Sequence, residues 1–347
     1  MTGGRQPSYA HLLRLSDDVG LLEHARGAVP RRAHGYCLDD VARGLVVVCR
    51  EPDPTPELVG LAERYLAFVS HAQSPSGAFR NRLSYERRWL DEPDTGDWWG
   101  RAMWGLGTAA ARGPTGWLRD EALTGFDQGA HCRSRWPRSM AFAALGAAEI
   151  LDVLPGHPAA RRLLADTATA IGPAGVDARW RWPEARLGYA NAALAEALIA
   201  AGHHLGRQAA TDKGLRLLGW LLEREVHDGH LSPTPVGGRG PGDTVPGFDQ
   251  QPIEAAALAD ACARALLITA EPRWAAGLEL AIAWFTGDND ARTEMFDPAT
   301  GGGYDGLQAT GRNANQGAES TLALVSTLQH RQRFASLVGA TTGKVQD

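Results

Sequence analysis

The stretch His34–Val48 reads HGYCLDDVARGLVVV and sets two acids, Asp39 and Asp40, where an apolar helix begins. The Leu and Val residues that follow prefer a protein interior. Two charges at the mouth of a buried helix have two explanations. They cap free N–H groups and meet the positive end of the helix dipole, or they line a pocket. The choice depends on whether other helices begin in the same way.

Helical periodicity dominates the chain, with Ala- and Leu-rich amphipathic segments broken by Gly and Pro. It predicts twelve helices, near 9–25, 36–50, 55–73, 97–112, 115–131, 137–154, 157–171, 188–204, 207–225, 250–270, 272–287 and 315–333. Links after the even-numbered helices are short: EPDP, RGPT, PGH, LGR and EP. Links before them are often long and rich in Gly, Pro, Trp and acids, such as SPTPVGGRGPGDTVPGFDQ. Long irregular loops in a compact domain usually carry function. Six helix hairpins with the long loops gathered at one end describe an all-α fold, an (α/α)6 toroid. Short β-hairpins are expected in the loops, at GAFRNRLSY and GHLSPTP. No linker divides the chain, so one domain over 1–347 is expected, with a core at 9–333 and a flexible tail at 335–347.

In such a toroid the even helices form the inner ring, and their N-termini surround a pocket. They open with GYCLDD, DTGDWWGRAMW, SRWPRSM, RLGYANA, GFDQQPIEA and NANQGAEST. Acids, amides, Arg and aromatics at all six starts favour the pocket explanation. Asp39 and Asp40 lie about 100° apart if both are helical, so one faces the cavity while the other caps or orients a ligand. Asp40 and Glu319 are the expected catalytic carboxyls, with Asp97 as a third candidate. Asp97 is also a good N-cap, and Arg101 stands one turn on, able to pair with it. Glu254 follows Gln251 by three with Pro252 between, which resembles a capping arrangement. Asp249 is freer to face a ligand. Tyr36, Trp99 and Tyr189 supply flat apolar faces for sugar rings, and His34, Asp39, Arg101, Asn191, Gln250, Gln251, Glu254, Asn315 and Gln316 supply polar contacts. Paired carboxyls across such a pocket can serve as acid and base on a glycosidic bond.

Other functions are disfavoured. A net charge of −5 leaves no basic excess for nucleic acid or membrane surfaces. Apolar residues at 44% and charged residues at 22% suit a soluble globular protein. No apolar run reaches a membrane span and no signal peptide is evident, so a cytoplasmic location is expected. Cys37, Cys49, Cys132 and Cys262 are scattered, as for reduced core cysteines. His227 and His230 have no third ligand, so no metal is expected, and no nucleotide or nucleophile-elbow motif calls for a cofactor.

The segments DDVGLLEHARGAVPRRAHGYCLDDVARGL, GRAMWGLG, RWPEARLGYANAALAEAL, FDQQPIEAAALADAC and NQGAESTLA resemble a bacterial family of six-hairpin glycosidase-like proteins. The resemblance runs from about Asp17 to Thr321. It implies the toroid, an oligosaccharide or glycan ligand, and association with a glycosyltransferase or a mannoside phosphorylase. It puts Asp39, Asp40, Asp249 and Glu319 on matching motif positions. The chain departs from the pattern at Val41, where a polar Asn is expected, and at Trp98 and Trp99, where smaller polar residues are commoner. The leading expectation is a glycoside hydrolase. The alternatives are a non-catalytic glycan-binding partner of a glycosyltransferase, and a sugar epimerase or isomerase with His34 as the near candidate base.

Overall fold

A computed structural model describes residues 6–343 apart from 174, 176 and 178. Twelve helices follow one another: α1 Ala10–Leu15, α2 Leu38–Arg50, α3 Pro56–Ala72, α4 Asp97–Arg112, α5 Gly116–Gly129 and α6 Pro137–Val153. The rest are α7 Pro158–Ala170, α8 Ala192–Leu205, α9 Gln208–Glu225, α10 Pro252–Thr269, α11 Pro272–Phe285 and α12 Ala318–Gly343. Each even helix packs on the next, and α12 returns against α2, which closes an inner ring of six. The long odd helices pack outside them, α5 on α4 and α9 on α8 for example. This is the (α/α)6 toroid.

Burial explains which helix goes where. In α2 every residue from Asp40 to Cys49 is buried, and in α6 every residue from Ser139 to Leu151. Helices enclosed on all sides must be apolar nearly all round. The outer helix α5 buries only the stripe Leu118, Ala122 and Phe126 with Gly129. Glycines set the spacing inside the ring: a Cβ at Gly107 of α4 would overlap the Gly146 backbone of α6. Five helices carry Pro in the first turn, where its missing N–H costs nothing.

Four two-stranded antiparallel pairs complete the fold. They join β1 Ala25–Arg26 to β2 Val29–Pro30, β3 Tyr36–Cys37 to β4 Arg82–Leu83, β5 Val226–His227 to β6 His230–Leu231, and β7 Gly306–Gln308 to β8 Gly311–Asn313. All lie in links that lead into inner helices, so the long loops gather at the N-terminal mouth of the ring.

Several boundaries differ from expectation. The helix expected over 9–25 ends at Leu15. The Asp17 carboxylate accepts from the N–H groups of Val19 and Gly20, and that local turn competes with further helix. The strand expected within GAFRNRLSY is β4, which pairs with β3 on one side and turns back locally on the other, where Leu83 bridges Trp89. The tail expected from 335 is helical to Gly343, and residues 344–347 lie outside the described residues. Among the described residues no helix is long and apolar enough to cross a membrane. All four cysteines are free thiols.

Candidate functional site

A cavity of about 920 Å³ opens at the N-terminal mouth. Its floor is organised by Arg43, one turn into α2. Arg43 Nη2 donates to Asp39 Oδ2 at 2.7 Å and to Asp40 Oδ1 at 2.6 Å, while Nη1 meets Glu319 Oε2 at 3.1 Å. Helical spacings of three and four bring both aspartates onto one guanidinium. Burial opposes the Arg43 charge, but Asp39, Glu319 and Asp40 outweigh it and raise its pKa.

The two aspartates of the opening stretch do not cap α2. The N-cap residue Cys37 makes no side-chain cap, and the Asp39 N–H is taken instead by Asn81 Oδ1, from the loop between α3 and α4, at 3.3 Å. The acids have different surroundings. Asp40 is 4% exposed. Burial pushes its pKa well above the carboxylate range; Arg43 opposes this, and Asp39 and Glu319 add to it. Glu319 leaves 37% of its side chain open.

Arg101 does not pair with Asp97, its expected partner. It faces Asp39 Oδ1 at 3.7 Å and stacks 3.5 Å over Phe142. Burial lowers its pKa to about 10. Asp97 is the first residue of α4 and not its N-cap, which is Gly96; its Oδ1 accepts from Ser139 Oγ at 2.5 Å. On the opposite wall Arg138 makes a two-pronged contact with Glu184 at 2.7 and 2.8 Å and donates to the Tyr189 carbonyl. Trp98, Trp136 and Tyr189 are among the lining residues.

Eight of the expected residues line this cavity: Asp39, Asp40, Asp97, Arg101, Tyr189, Asp249, Gln251 and Glu319. Eight are placed outside its lining, each for a physical reason. Trp99 is fully buried with its indole N–H on the Gly129 carbonyl, while its neighbour Trp98 turns to the cavity. Tyr36 is buried and donates to Asp17. His34 lies on an outer 3₁₀ turn, edge-on to His24, and His24 lines the cavity. Asn191 is buried and accepts from the Gly188 N–H and Arg138. Gln250 bonds Asp290 and Trp284 in the core. Glu254 accepts from the Ala190 N–H at 2.6 Å, so it caps α8's approach and not its own helix. Asn315 accepts from Gly27, and Gln316 joins Thr300 to Asp297.

The structure adds Arg43, Arg138, Glu184, Asp305, Glu23 and Trp98 to the lining. Arg43 was legible in DDVAR by its spacing. The Arg138–Glu184 contact joins residues too far apart in sequence to leave a local signal. Glu23, Cys37 and Asp40 bring potential metal-ligand atoms within 4.8 Å of one another. Burial and the nearby carboxylates raise the Cys37 pKa, and the thiol donates to Asn81, so it is a poor ligand as it stands.

No family model and no curated protein matches the chain. Solved structures do. A sugar epimerase from a ruminal bacterium superposes with a TM-score of 0.71 at 10% identity, over 93% of this chain and 95% of that one. The cellobiose 2-epimerase of Spirochaeta thermophila gives 0.68 at 13% identity over 94% and 93%. The cellulase Cel9M of C. cellulolyticum, in complex with cellobiose, gives 0.64 at 9% identity over 91% and 88%. The chain thus has the six-hairpin, (α/α)6-toroid fold of these carbohydrate-active enzymes, as the sequence resemblance implied.

Proposed function

We propose that the protein is a carbohydrate-active enzyme, best read as a glycoside hydrolase with Asp40 as general acid and Glu319 as the ionised carboxylate. One observation carries this reading: two carboxyls in contrasting environments share the Arg43 guanidinium on the floor of a sugar-sized cavity. Glycoside cleavage needs one protonated carboxyl for the leaving oxygen and one ionised carboxylate to activate water or attack. Burial favours the neutral form of Asp40, while the more open Glu319 can face a water molecule. Asp39, held by Arg43 and facing Arg101, is suited to orienting a sugar hydroxyl. Asp97 remains the alternative partner.

A screen of purified protein against gluco-, manno- and galacto-oligosaccharides, with products followed by mass and anomeric NMR, tests this. Shorter products support hydrolysis. A changed configuration with unchanged mass supports the second reading, a sugar epimerase or isomerase. That reading is favoured by His24, in the lining with its Nε2 3.6 Å from Glu23 Oε1, a base–carboxylate pair able to move a proton at carbon. Binding with no product would make the protein a glycan-binding partner, in which a glycosyltransferase or phosphorylase does the chemistry.

A further inference from the structure

The cavity at the N-terminal mouth is unbalanced in charge. Among the described residues nine acids line it against four arginines. Three of those arginines are already engaged. Arg43 is shared by Asp39, Asp40 and Glu319, Arg101 faces Asp39, and Arg138 holds Glu184. The fourth, Arg135, lies 4.7 Å over the Trp136 ring. Glu23 finds its cation outside the lining, in Arg82. Asp94, Asp97, Asp249 and Asp305 make no ion pair among the described residues. Asp97 accepts from Ser139 Oγ, and Asp305 from Ser320 Oγ and the Gly317 N–H. These donors are neutral, so they leave the carboxylate charge uncancelled.

Helix dipoles act in the opposite sense. Each inner helix turns an N-terminus toward the cavity, worth about half a positive charge. Four of the six meet an acid in their own first turn: Asp39 and Asp40 in α2, Asp97 in α4, Glu254 in α10 and Glu319 in α12. The other two, α6 and α8, together add only about one positive charge. Asp94, Asp249 and Asp305 stand on loops outside any helix. Even with Asp40 neutral, eight acids face four arginines, so the negative sign survives the dipoles. A cleft walled by one sign of charge focuses its field on whatever enters. A neutral sugar meets no repulsion there, and its hydroxyls donate to carboxylate oxygens, which only accept. An anionic sugar meets the field directly.

We infer that this cavity selects uncharged glycans and turns away sugars bearing a carboxylate, sulfate or phosphate, with Asp94, Asp249 and Asp305 as the discriminating residues. This rests on the reading of the cavity as a sugar site.

Calorimetric titration of the full chain tests it, with gluco-, manno- and galacto-tetrasaccharides each supplied in three forms. One is neutral, one is the carboxylate at C6, and one is the methyl ester of that carboxylate. Wherever the neutral form binds, the carboxylate should bind about tenfold more weakly or worse, the scale of like charges in contact at a protein surface. The ester keeps the bulk without the charge and should recover most of the loss. Salt near 1 M, where screening reaches roughly 3 Å, should narrow the gap. Asp249→Asn, a change at an exposed loop residue, should narrow it several-fold as well. A carboxylate that binds as tightly as its neutral form overturns the charge selection and leaves the sugar site standing. An ester as weak as the acid does the same, because the loss is then one of shape. No binding in any series overturns the sugar site and this inference with it.

Discussion

The two mouths of the toroid hold cavities of similar size, about 920 and 960 Å³, and both are lined with charge. They differ in how that charge is satisfied. At the C-terminal mouth Glu149, Asp152, Glu196 and Asp260 each meet a cation. Arg112 meets Glu149 at 2.7 Å and lies 3.8 Å from Asp152, Arg264 meets Glu196 at 2.8 Å, and Asp260 holds both Arg50 and His330. At the N-terminal mouth Asp94, Asp97, Asp249 and Asp305 line the cavity with no cation partner among the described residues. Both ends obey the helix dipole, with acids at the N-termini and guanidinia at the C-termini. Among the described residues, Asp53 and Arg333 stand outside an ion pair at the C-terminal end, against the acids Asp94, Asp97, Asp249 and Asp305 at the N-terminal end. A closed network holds a fold together, while unpaired groups beside aromatic rings are available to a ligand.

Chemistry should break first at the N-terminal mouth. Asp40→Asn and Glu319→Gln are each expected to cut turnover on a validated substrate by about 10²- to 10⁴-fold, the scale of general acid–base loss. Ground-state binding should fall far less. Steady-state kinetics with calorimetric binding checks this, and wild-type turnover in both variants would remove the pair from catalysis.

Stability should break at the other end. Arg50→Met leaves Asp260 and Glu149 without a shared cation in a buried setting. Removing one partner of a buried pair costs about 3–5 kcal/mol. Denaturant unfolding should show that loss, while turnover of the surviving folded protein stays within a few-fold. Equal loss of catalysis would mean that the two mouths are not separable.

The tryptophans sharpen the comparison at the scale of one residue. Trp99, fully buried, should cost roughly 3–5 kcal/mol of stability when cut to Ala, as for large core aromatics. Trp98, in the cavity wall, should instead weaken oligosaccharide binding by about 1–3 kcal/mol on the scale of a well-packed aromatic contact. Parallel melting and titration of the two variants decides it; identical profiles would remove the distinction.

That pair also marks where sequence stops being informative. Eleven of twelve helices were visible because 3.6-residue periodicity and first-turn prolines are local signals. The shortened α1 was not, because an Asp17 side chain bonding its own backbone leaves the apolar pattern intact. Inner helix starts identified the mouth, and within it Asp39, Asp40, Asp249 and Glu319. Adjacent residues on a helix point about 100° apart, and no local pattern told Trp98 from Trp99. Gln250, Asn191 and Glu254 look like ligand contacts in sequence because they are polar at the right helix starts. Their hydrogen bonds are spent on holding loops to helices, through partners up to 64 residues away.

Glu254 yields the effect with the most defined sign. It stands just behind the N-terminal mouth, 4% exposed, and burial first, then the charge of Glu225, raises its pKa to about 8. A carboxyl whose pKa is raised on folding stabilises the fold while it stays protonated in both states. That contribution is complete below the ordinary glutamate pKa and is lost as pH climbs through the folded value. The wild type should therefore lose stability between roughly pH 5 and 9. Other buried acids such as Asp40 and Glu196 contribute in the same direction, so the wild-type curve alone does not isolate Glu254. The difference between Glu254→Gln and wild type does. Gln keeps an acceptor for the Ala190 N–H and never ionises. Its melting temperature relative to wild type should rise with pH across that window, by about a few degrees. A difference that stays constant from pH 5 to 9 would show that Glu254 is already ionised in the folded protein, with the polar groups at the mouth stabilising its charge.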